Sequence, residues 1–286
     1  MKVRHVTTAM LRRWPLPSLG GDDSKEERGR VLIVGGSRSV PGAVLLAATA
    51  SLRAGAGKLQ VATGRHAALP LAIVLPEAKV TGLPSNARGE ISGLDATVLH
   101  AIGNVDAVLV GPGMDPARGT LRIASAIMRR ASAVVLDAGA IGACMSARAG
   151  DLVLTPHTGE LAGLIGTDER VIAAQKLAIA AECARASRAT LVLKGADTVI
   201  ASPDGDVWVH AGACVGLGTS GSGDVLAGVI VGLLAQGAEA AQAAVWGVTL
   251  HARAGALLSR AQGRIGFLAR EIPACIPGVM DAMRGG

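Results

Sequence analysis

The sequence predicts an α/β fold: a doubly wound, mostly parallel sheet with helices on both faces and a β-hairpin at one edge. Short apolar segments alternate with longer helical segments along the 286 residues, as in chains built from βαβ units. Hydrophobic residues make up 50% and charged residues 17%, which suits a large core and excludes a disordered chain. Aromatic residues make up only 1%, so small aliphatic side chains must fill the interior.

The predicted strands are short apolar runs that end at glycine or polar residues. They span 31–34, 58–62, 106–110, 133–136, 152–154, 191–193, 198–201 and 206–209. The last two flank Ser202-Pro203-Asp204-Gly205, a turn sequence that predicts the antiparallel hairpin. The predicted helices span 43–54, about 116–130 and about 168–187, and three more begin near 223, 238 and 268.

The N-terminal segment differs from the rest of the chain. Residues 1–29 are polar and mixed in character and contain the loop sequence Gly20-Gly21-Asp22-Asp23. We interpret them as a leader segment that packs on the domain or on a partner subunit. Residues 30–286 contain no repeat and no second core boundary, so they are predicted to form one domain.

Charge and hydropathy limit the classes of partner. The net charge of +6 is dispersed and lacks the basic stripe and stacking aromatics of a nucleic-acid binder, but it suits attraction of small phosphorylated ligands. The apolar run 225–235 is too short to span a bilayer, and residues 1–17 lack the apolar core of a secretory signal. Four widely separated cysteines form no C-x-x-C pair. We expect a cytoplasmic protein with free thiols.

A glycine-rich loop, residues 216–224, precedes the apolar run and predicts a phosphate site. Its four glycines let backbone N–H groups approach a ligand, and a helix beginning at Ser222 to Asp224 adds the positive end of its dipole. The alternative is a flexible loop that ends in an ordinary helix cap. A cap needs only one hydroxyl or carboxylate residue, so phosphate binding is favoured.

The type of phosphate site follows from what surrounds the loop. Residues 216–221 match the dinucleotide pattern G-x-G-x-x-G, but no strand follows and the only acid in range is Glu239. The absence of Gly-Lys-Ser/Thr excludes a P-loop. Because phosphate repels a carboxylate, Asp224 is predicted to take a proton from a substrate hydroxyl instead.

Most other informative polar residues and glycines follow predicted strands. They are Gly111, Gly113, Asp137, His157, Glu160, Lys194 and Thr198. In this architecture the carboxyl ends of the strands converge on one crevice, so a single site is predicted there.

These segments together resemble a known family. They are Gly35-Gly36-Ser37, Pro41-Gly42-Ala43, Arg53-Ala54-Gly55-Ala56-Gly57, Val110-Gly111-Pro112-Gly113, Val135-Leu136-Asp137-Ala138, Thr155-Pro156-His157-Thr158-Gly159-Glu160, Lys194-Gly195-Ala196-Asp197-Thr198 and 219–228. Their order across roughly residues 30–270 resembles the ADP/ATP-dependent NAD(P)H-hydrate dehydratases of the ribokinase-like superfamily, in the stand-alone form without an epimerase domain.

The resemblance implies a repair reaction on NADH or NADPH that has added water at C6 of the nicotinamide ring. A nucleotide, ADP by our reading and ATP as the alternative, phosphorylates the new hydroxyl, and loss of phosphate restores the dihydronicotinamide. The family also implies Mg²⁺, action on the (6S)-epimer alone and a homotetramer. The predicted partners are the hydrates NADHX and NADPHX and the nucleotide, with no nucleic acid and no membrane.

The resemblance also assigns roles to individual residues. The catalytic set is Asp224 as the base, with the N–H groups of Ser222 and Gly223 as an anion hole. The nucleotide set is Lys194, Gly195, Ala196, Asp197, Thr198 and Gly223. The hydrate set is Ala43, Gly113, His157 and Asp224, and Glu160 would organise Mg²⁺ through water.

Structural alternatives remain open for two of these residues and for Asp137, and the sequence departs from the family at three other positions. Lys194 read alone is a solvated strand-end lysine, His157 a helix cap and Asp137 a turn residue. Gly139 and Gly142 replace an Asp and an Asn that the family often has, and Val40 replaces a common Tyr.

Two other functions compete with the dehydratase. A kinase of the same fold that acts on a vitamin precursor needs the same loop and Asp224 but releases a stable phosphate ester. A non-catalytic nucleotide sensor would gain no binding energy from a carboxylate at position 224, so the presence of Asp224 argues against a sensor.

Overall fold

The computed structural model describes residues 2–18, 28–148, 150–212 and 214–284, so the predicted loop at residues 20–23 lies outside the described residues. The strands are β1 (Lys2–His5), β2 (Arg30–Val34), β3 (Lys58–Gly64), β4 (Ala78–Leu83), β5 (Ala107–Val110), β6 (Ala133–Leu136), β7 (Asp151–Leu154), β8 (Thr190–Leu193), β9 (Thr198–Ala201) and β10 (Asp206–His210). They form one ten-stranded sheet in the order β1-β10-β9-β8-β7-β6-β5-β2-β3-β4. All eight predicted strands are present.

The helices cover the sheet. They are α1 (Thr8–Arg12), α2 (Gly42–Arg53), α3 (Arg65–Val74), α4 (Ala96–Ile102), α5 (Arg118–Met128), α6 (Thr158–Ile165), α7 (Glu169–Ala174), α8 (Lys176–Ser187), α9 (Ser222–Ala235), α10 (Ala240–Gln262) and α11 (Ile272–Arg284). Buried side chains form two hydrophobic clusters; one includes Val31, Ile33 and Leu109 and the other Leu32, Val34 and Val110. Alternate residues of one strand thus face opposite sides, which confirms helices on both faces of the sheet.

Among the described strands, β9 is the one that runs antiparallel to its neighbours, β8 and β10, and the remaining pairs are parallel. The predicted hairpin is therefore present, and Gly205 closes its turn at φ +93°. The prediction that it lies at the edge is wrong by one strand, since β1 pairs with β10 outside it. A four-residue Lys-Val-Arg-His strand has too little apolar pattern to be recognised from sequence.

The described part of the N-terminal segment packs on the domain. Trp14 stacks on Trp208 with ring centroids 5.6 Å apart, and the Trp246 Nε1–H donates to the Trp14 carbonyl at 2.8 Å. Leu11 and Leu16 are buried. A boundary at residue 29 stays a prediction.

One long predicted helix is two helices in the structure. The region 168–187 breaks at Gln175, whose backbone angles (φ −124°, ψ 32°) are not helical. Asp168 begins α7 by accepting a hydrogen bond from the Arg170 N–H at 2.7 Å. Strand β4 and the helices α1, α3 and α4 were not predicted. Among the described helices, none is long and apolar enough to cross a membrane.

Glycines set the position of α9 against α2. A Cβ built at Gly228 would lie 2.2 Å from the Ala47 carbonyl oxygen, and one at Gly232 would lie 2.8 Å from the Ser51 carbonyl oxygen. Because only glycine allows this approach, the two helices pack with their backbones in near contact. The start of α9 is thereby held over the carboxyl ends of the strands.

This packing predicts a large stability effect at Gly228. We expect Gly228→Ala to lower the free energy of unfolding by about 2–3 kcal/mol because the backbone of α2 must move. Gly278→Ala is the matched control: it lies in α11, where the added Cβ would meet no atom within 4 Å apart from its chain neighbours and the backbone of its own helix. We expect it to be neutral or stabilising by up to about 1 kcal/mol. Urea denaturation of both variants tests this, and equal effects would contradict it.

Candidate active site

The start of α9 leaves backbone donors without an internal partner. Gly221 precedes the helix in the left-handed region (φ +88°), and no side chain caps the helix. The Ser222 N–H donates to the Thr219 carbonyl at 3.2 Å. Among the described residues, the N–H groups of Gly223 and Asp224 have no hydrogen-bond acceptor. A helix of 14 residues with free N–H groups at its positive end is a ready anion site.

Lys194 is a paired lysine at this helix start. It follows β8, and its Nζ lies 3.2 Å from Asp137 Oδ1 and 3.8 Å from Glu160 Oε2. Its side chain is only 19% exposed. Burial opposes the charge, but these two carboxylates outweigh burial and raise the pKa of Lys194. A Cβ built at Gly223 would lie 3.3 Å from the Lys194 Nζ, so the ammonium lies against the mouth of α9.

Asp137 does more than turn the chain after β6. The residue is 3% exposed, and its Oδ1 accepts from the Thr155 hydroxyl at 2.6 Å as well as from Lys194. Asp137 and Thr155 meet because they directly follow the paired strands β6 and β7. A buried carboxylate with two donors is well suited to hold a lysine in one place.

The pKa of Asp224 lies close to neutral pH, as expected of a general base. Burial is the main cause that raises its pKa to about 7, and the negative charge of Asp137 acts in the same direction. Lys194 partly offsets both. A carboxylate with a pKa near the working pH is suited to general acid–base catalysis.

The pH dependence of activity should therefore respond to Asp137. Because its negative charge raises the pKa of Asp224, we expect Asp137→Asn to move the acid limb of the kcat/KM profile to lower pH. Asp224 must be deprotonated to accept a proton, so wild-type activity should rise as pH increases through about 7. The exposed Asp115 on the loop after β5 supplies the control, Asp115→Asn, which should leave the midpoint in place. An acid limb that stays or moves upward in Asp137→Asn would contradict this assignment.

His157 caps a helix and also faces the cavity. Its Nδ1 accepts from the N–H groups of Gly159 at 3.0 Å and Glu160 at 3.3 Å, while Glu160 Oε2 accepts from the His157 N–H at 2.8 Å. This reciprocal arrangement is a capping box. The imidazole also lines the large cavity, so capping and ligand contact are compatible.

A cavity of about 780 Å³ opens beside the helix start. It is lined by residues of the predicted nucleotide set, namely Lys194, Gly195, Ala196, Thr198 and Gly223, together with Ser222 and His157. Its apolar wall consists of Val215, Leu217, Leu226, Val248 and Ala252. The volume is in the range of small-molecule sites.

Asp197, also in the nucleotide set, does not line this cavity. Its carbonyl accepts a short hydrogen bond from Lys176 Nζ, and its carboxylate accepts from the Gly212 N–H at 3.4 Å. Asp197 therefore stabilises the 194–198 loop through hydrogen bonds made outside the cavity. The sequence offered no motif that pointed to Lys176.

Ala43 and Gly113 lie together on the other side of the helix start and do not line the large cavity. A Cβ built at Gly113 (φ +66°) would lie 2.9 Å from the Ala43 Cβ and 2.5 Å from the Val40 carbonyl oxygen. Gly221 approaches Leu46 on α2, the helix that carries Ala43, and Asp224 Oδ2 lies 3.9 Å from a Cβ built at Gly221. Asp224 thus lies on the side of the helix start that faces α2.

The family departures have a physical basis at one glycine. A Cβ at Gly139 would lie 2.4 Å from the backbone carbon of Asp115, so this backbone has no room for a side chain there. A Cβ at Gly142 would meet only the Leu121 side chain, at 3.0 Å. Val40 is 50% exposed, and nothing in the structure explains its identity.

The order of the strands in the sheet, the start of α9 after a glycine and the lysine paired beside it together define an α/β protein of the ribokinase-like class. A family model described as NAD(P)H-hydrate dehydratase matches residues 31–277, and the chain belongs to this family. It is 49% identical to an ADP-dependent (S)-NAD(P)H-hydrate dehydratase of Xanthomonas campestris, over 100% of this chain and 99% of that protein.

Two further relatives extend the comparison. The chain is 39% identical to a bifunctional NAD(P)H-hydrate repair enzyme of Moorella thermoacetica, over 97% of this chain but only 54% of the longer relative. The crystal structure of an ADP/ATP-dependent NAD(P)H-hydrate dehydratase from Bacillus subtilis, co-crystallised with ATP/Mg²⁺, matches with a TM-score of 0.84. That enzyme is 29% identical, and the match covers 97% of each chain.

Proposed function

We propose that this chain is an ADP-dependent dehydratase of the (6S)-hydrates of NADH and NADPH. The observation that carries the proposal is the position of Asp224: a carboxylate with a pKa of about 7 at a helix start whose neighbouring N–H groups are free. Such a pair can remove a proton from an alcohol while it holds a phosphoryl group. Similarity to the Xanthomonas dehydratase along its full length supports this choice of alcohol.

The large cavity is the proposed nucleotide site. Its apolar wall suits an adenine ring, while Lys194, Gly195, Ala196 and Thr198 suit the phosphates. The terminal phosphoryl group would lie at the N–H groups of Gly223 and Asp224. The Ser222 N–H already donates to the Thr219 carbonyl, so it is not proposed as a donor to the phosphoryl group. We keep Ser222 in the site because it forms the first turn of α9.

The proposed reaction has two steps. The C6 oxygen of the hydrate attacks the β-phosphorus of ADP, the bond to the bridging oxygen breaks, AMP leaves and Asp224 takes the hydroxyl proton. The C6–O bond then breaks with its electron pair leaving on phosphate, while the adjacent ring carbon gives a proton to water and a C=C bond forms between the two carbons. The products are the dihydronicotinamide and inorganic phosphate. Phosphate is a far better leaving group than hydroxide, which is why the nucleotide is needed.

Ala43 and Gly113 are proposed to line the hydrate side. His157, which the resemblance assigned to the same set, instead lines the large cavity, so it is proposed to contact the nucleotide. Glu160 is proposed to organise Mg²⁺ through water. No group of three or more potential ligand side chains is placed to hold a metal among the described residues. Magnesium commonly binds through one or two carboxylates together with substrate phosphates, and Glu160 fits that arrangement. When bound, the ion would add positive charge at the nucleotide phosphates.

The setting of the enzyme is also a proposal. The resemblance supports a homotetramer in the cytoplasm that acts on NADHX and NADPHX, without nucleic-acid or membrane partners. Light scattering coupled to size-exclusion chromatography would measure the subunit number directly.

The decisive experiment incubates the protein with hydrated NADPH and either ADP, ATP or no nucleotide, and follows the absorbance of the dihydronicotinamide. Recovery with ADP, release of AMP and phosphate, and no recovery without nucleotide are expected. A kinase of a vitamin precursor would instead accumulate a stable phosphate ester, and a sensor would bind nucleotide without turnover. Recovery of the dihydronicotinamide is the favoured outcome because the match to the dehydratase family covers residues 31–277.

A further inference from the structure

A buried histidine contacts the helix start from behind. His251 lies in α10 and is 8% exposed, and its Nε2 is hydrogen-bonded to the hydroxyl of Ser222 at 3.0 Å. Ser222 is itself only 5% exposed. Both residues line the large cavity, yet the proposed reaction assigns no step to the imidazole.

The charge state of His251 indicates what it can do. Burial lowers its pKa to about 4, the positive charges of Lys194 and His210 act in the same direction, and the Ser222 backbone partly opposes them. The ring is therefore neutral at physiological pH, with one donor and one acceptor nitrogen. A neutral, enclosed imidazole is suited to holding a neighbouring hydroxyl rather than to exchanging protons with substrate.

The hydrogen bond between His251 and Ser222 keeps the Ser222 hydroxyl from bonding to the backbone N–H groups at the start of α9. A serine hydroxyl near a helix N-terminus readily bonds to the nearby backbone. Here the Ser222 hydroxyl is engaged by His251, its N–H is engaged by Thr219, and Gly221 before it adopts the left-handed conformation. Ser222 is thus held through both side chain and backbone, while the N–H groups of Gly223 and Asp224 stay free.

We propose that His251 is a positioning residue for the dehydration: its hydrogen bond to Ser222 holds the first turn of α9, so that the N–H groups of Gly223 and Asp224 point at the transferred phosphoryl group. The inference rests on the proposed function for its substrate. In this role His251 acts through Ser222 rather than directly on the nucleotide or the hydrate.

The test compares His251→Ala, His251→Gln, Ser222→Ala and the double variant His251→Ala/Ser222→Ala. For each, kcat and KM for hydrated NADPH, the Kd for ADP by calorimetry and Tm are measured. We expect His251→Ala to lower kcat roughly 10- to 100-fold, somewhat less than full loss of an oxyanion donor, with the KM for the hydrate within about twofold. Gln should restore most of kcat because its amide can reach the hydroxyl.

The remaining variants separate positioning from general stability. Because the two residues act as one unit, the double variant should be no slower than the slower single variant. Thr249→Val is the control, since it removes a buried hydroxyl of α10 that, within the part of the chain that the structure describes, bonds only the Val245 carbonyl, at 2.8 Å. Its kcat should equal that of the wild type.

Equal kcat values for His251→Ala and His251→Gln at equal Tm would overturn the proposal, as would losses that multiply in the double variant. If His251→Ala does not fold, the comparison of His251→Gln with Ser222→Ala decides: retained kcat in the first and reduced kcat in the second supports the proposal, and equal values contradict it. If the wild type recovers no dihydronicotinamide with either nucleotide, the proposed function fails. ADP binding still tests His251 in that case: a Kd weakened about tenfold in His251→Ala and restored by Gln supports the role, and an unchanged Kd refutes it.

Discussion

Replacing Asp224 with Asn should reduce turnover of the hydrate by roughly 10²- to 10⁴-fold, the usual contribution of a general base. The amide keeps the shape of the carboxylate but cannot accept the hydroxyl proton. Binding of ADP should persist, because the N–H groups at the start of α9 and Lys194 remain in place. Steady-state kinetics and calorimetry measure the two effects separately.

The same variant should change stability in the opposite sense. The folded pKa of Asp224 is about 7, above its ordinary value of 3.8, so the native state holds a proton that the unfolded chain has lost. Wild-type stability therefore falls as pH rises through this interval and stays low above it. Asp224→Asn removes this loss, so its Tm should exceed that of the wild type above pH 7, and the difference should shrink towards pH 4.

Asp281→Asn is the matched control, since this exposed carboxylate of α11 lies outside the site. It should leave both turnover and the pH dependence of Tm unchanged. Near-wild-type turnover in Asp224→Asn would remove this residue from its role as base. If the Tm of Asp224→Asn were lower than that of the wild type above pH 7, the inference that burial raises the pKa of Asp224 would be wrong.

Replacing Lys194 with Met should impair both catalysis and folding. Turnover should fall roughly 10²- to 10³-fold, as for loss of one stabilising donor at developing charge, and the Kd for ADP should rise. Loss of the ammonium leaves Asp137, 3% exposed, without its ion-pair partner. Removing one partner of a buried pair costs about 3 kcal/mol or more in the free energy of unfolding.

The double variant Lys194→Met/Asp137→Asn separates these effects. Neutralising Asp137 removes the unpaired charge, so most of the lost stability should return, while turnover stays low because the phosphates still lack their cation. Lys79→Met, an exposed lysine of β4, is the control and should change neither property. Recovery of turnover in the double variant would mean that Lys194 serves the fold rather than the nucleotide.

Much of the sheet was predictable because each strand carries its own signal. The run 31–34 is apolar throughout and becomes β2 with four buried residues, and the Ser202–Gly205 turn forms as predicted. Strand β1 was missed because its residues are mostly exposed and become a strand only by pairing with β10. Helix α6 was anticipated only through the reading of His157 as a helix cap, and His157 does cap it.

The candidate site divides in the same way. Glycine spacing and helix-start residues are local properties, so the loop 216–224 and Asp224 could be singled out from the sequence. The partnership of Asp137 with Lys194 joins residues 57 positions apart, and that of Ser222 with His251 joins residues 29 apart. Neither contact can be predicted from a local sequence pattern.

Local sequence patterns were enough to predict an α/β chain with a backbone anion site and a carboxylate beside it. The raised pKa of that carboxylate, its neighbour Lys194 paired with Asp137 and the burial of His251 follow only from the packing of distant segments. The hydrogen-bonding groups at a helix start belong to a few consecutive residues, so a local pattern can reveal them. A pKa instead depends on burial and on charges that separate strands bring together.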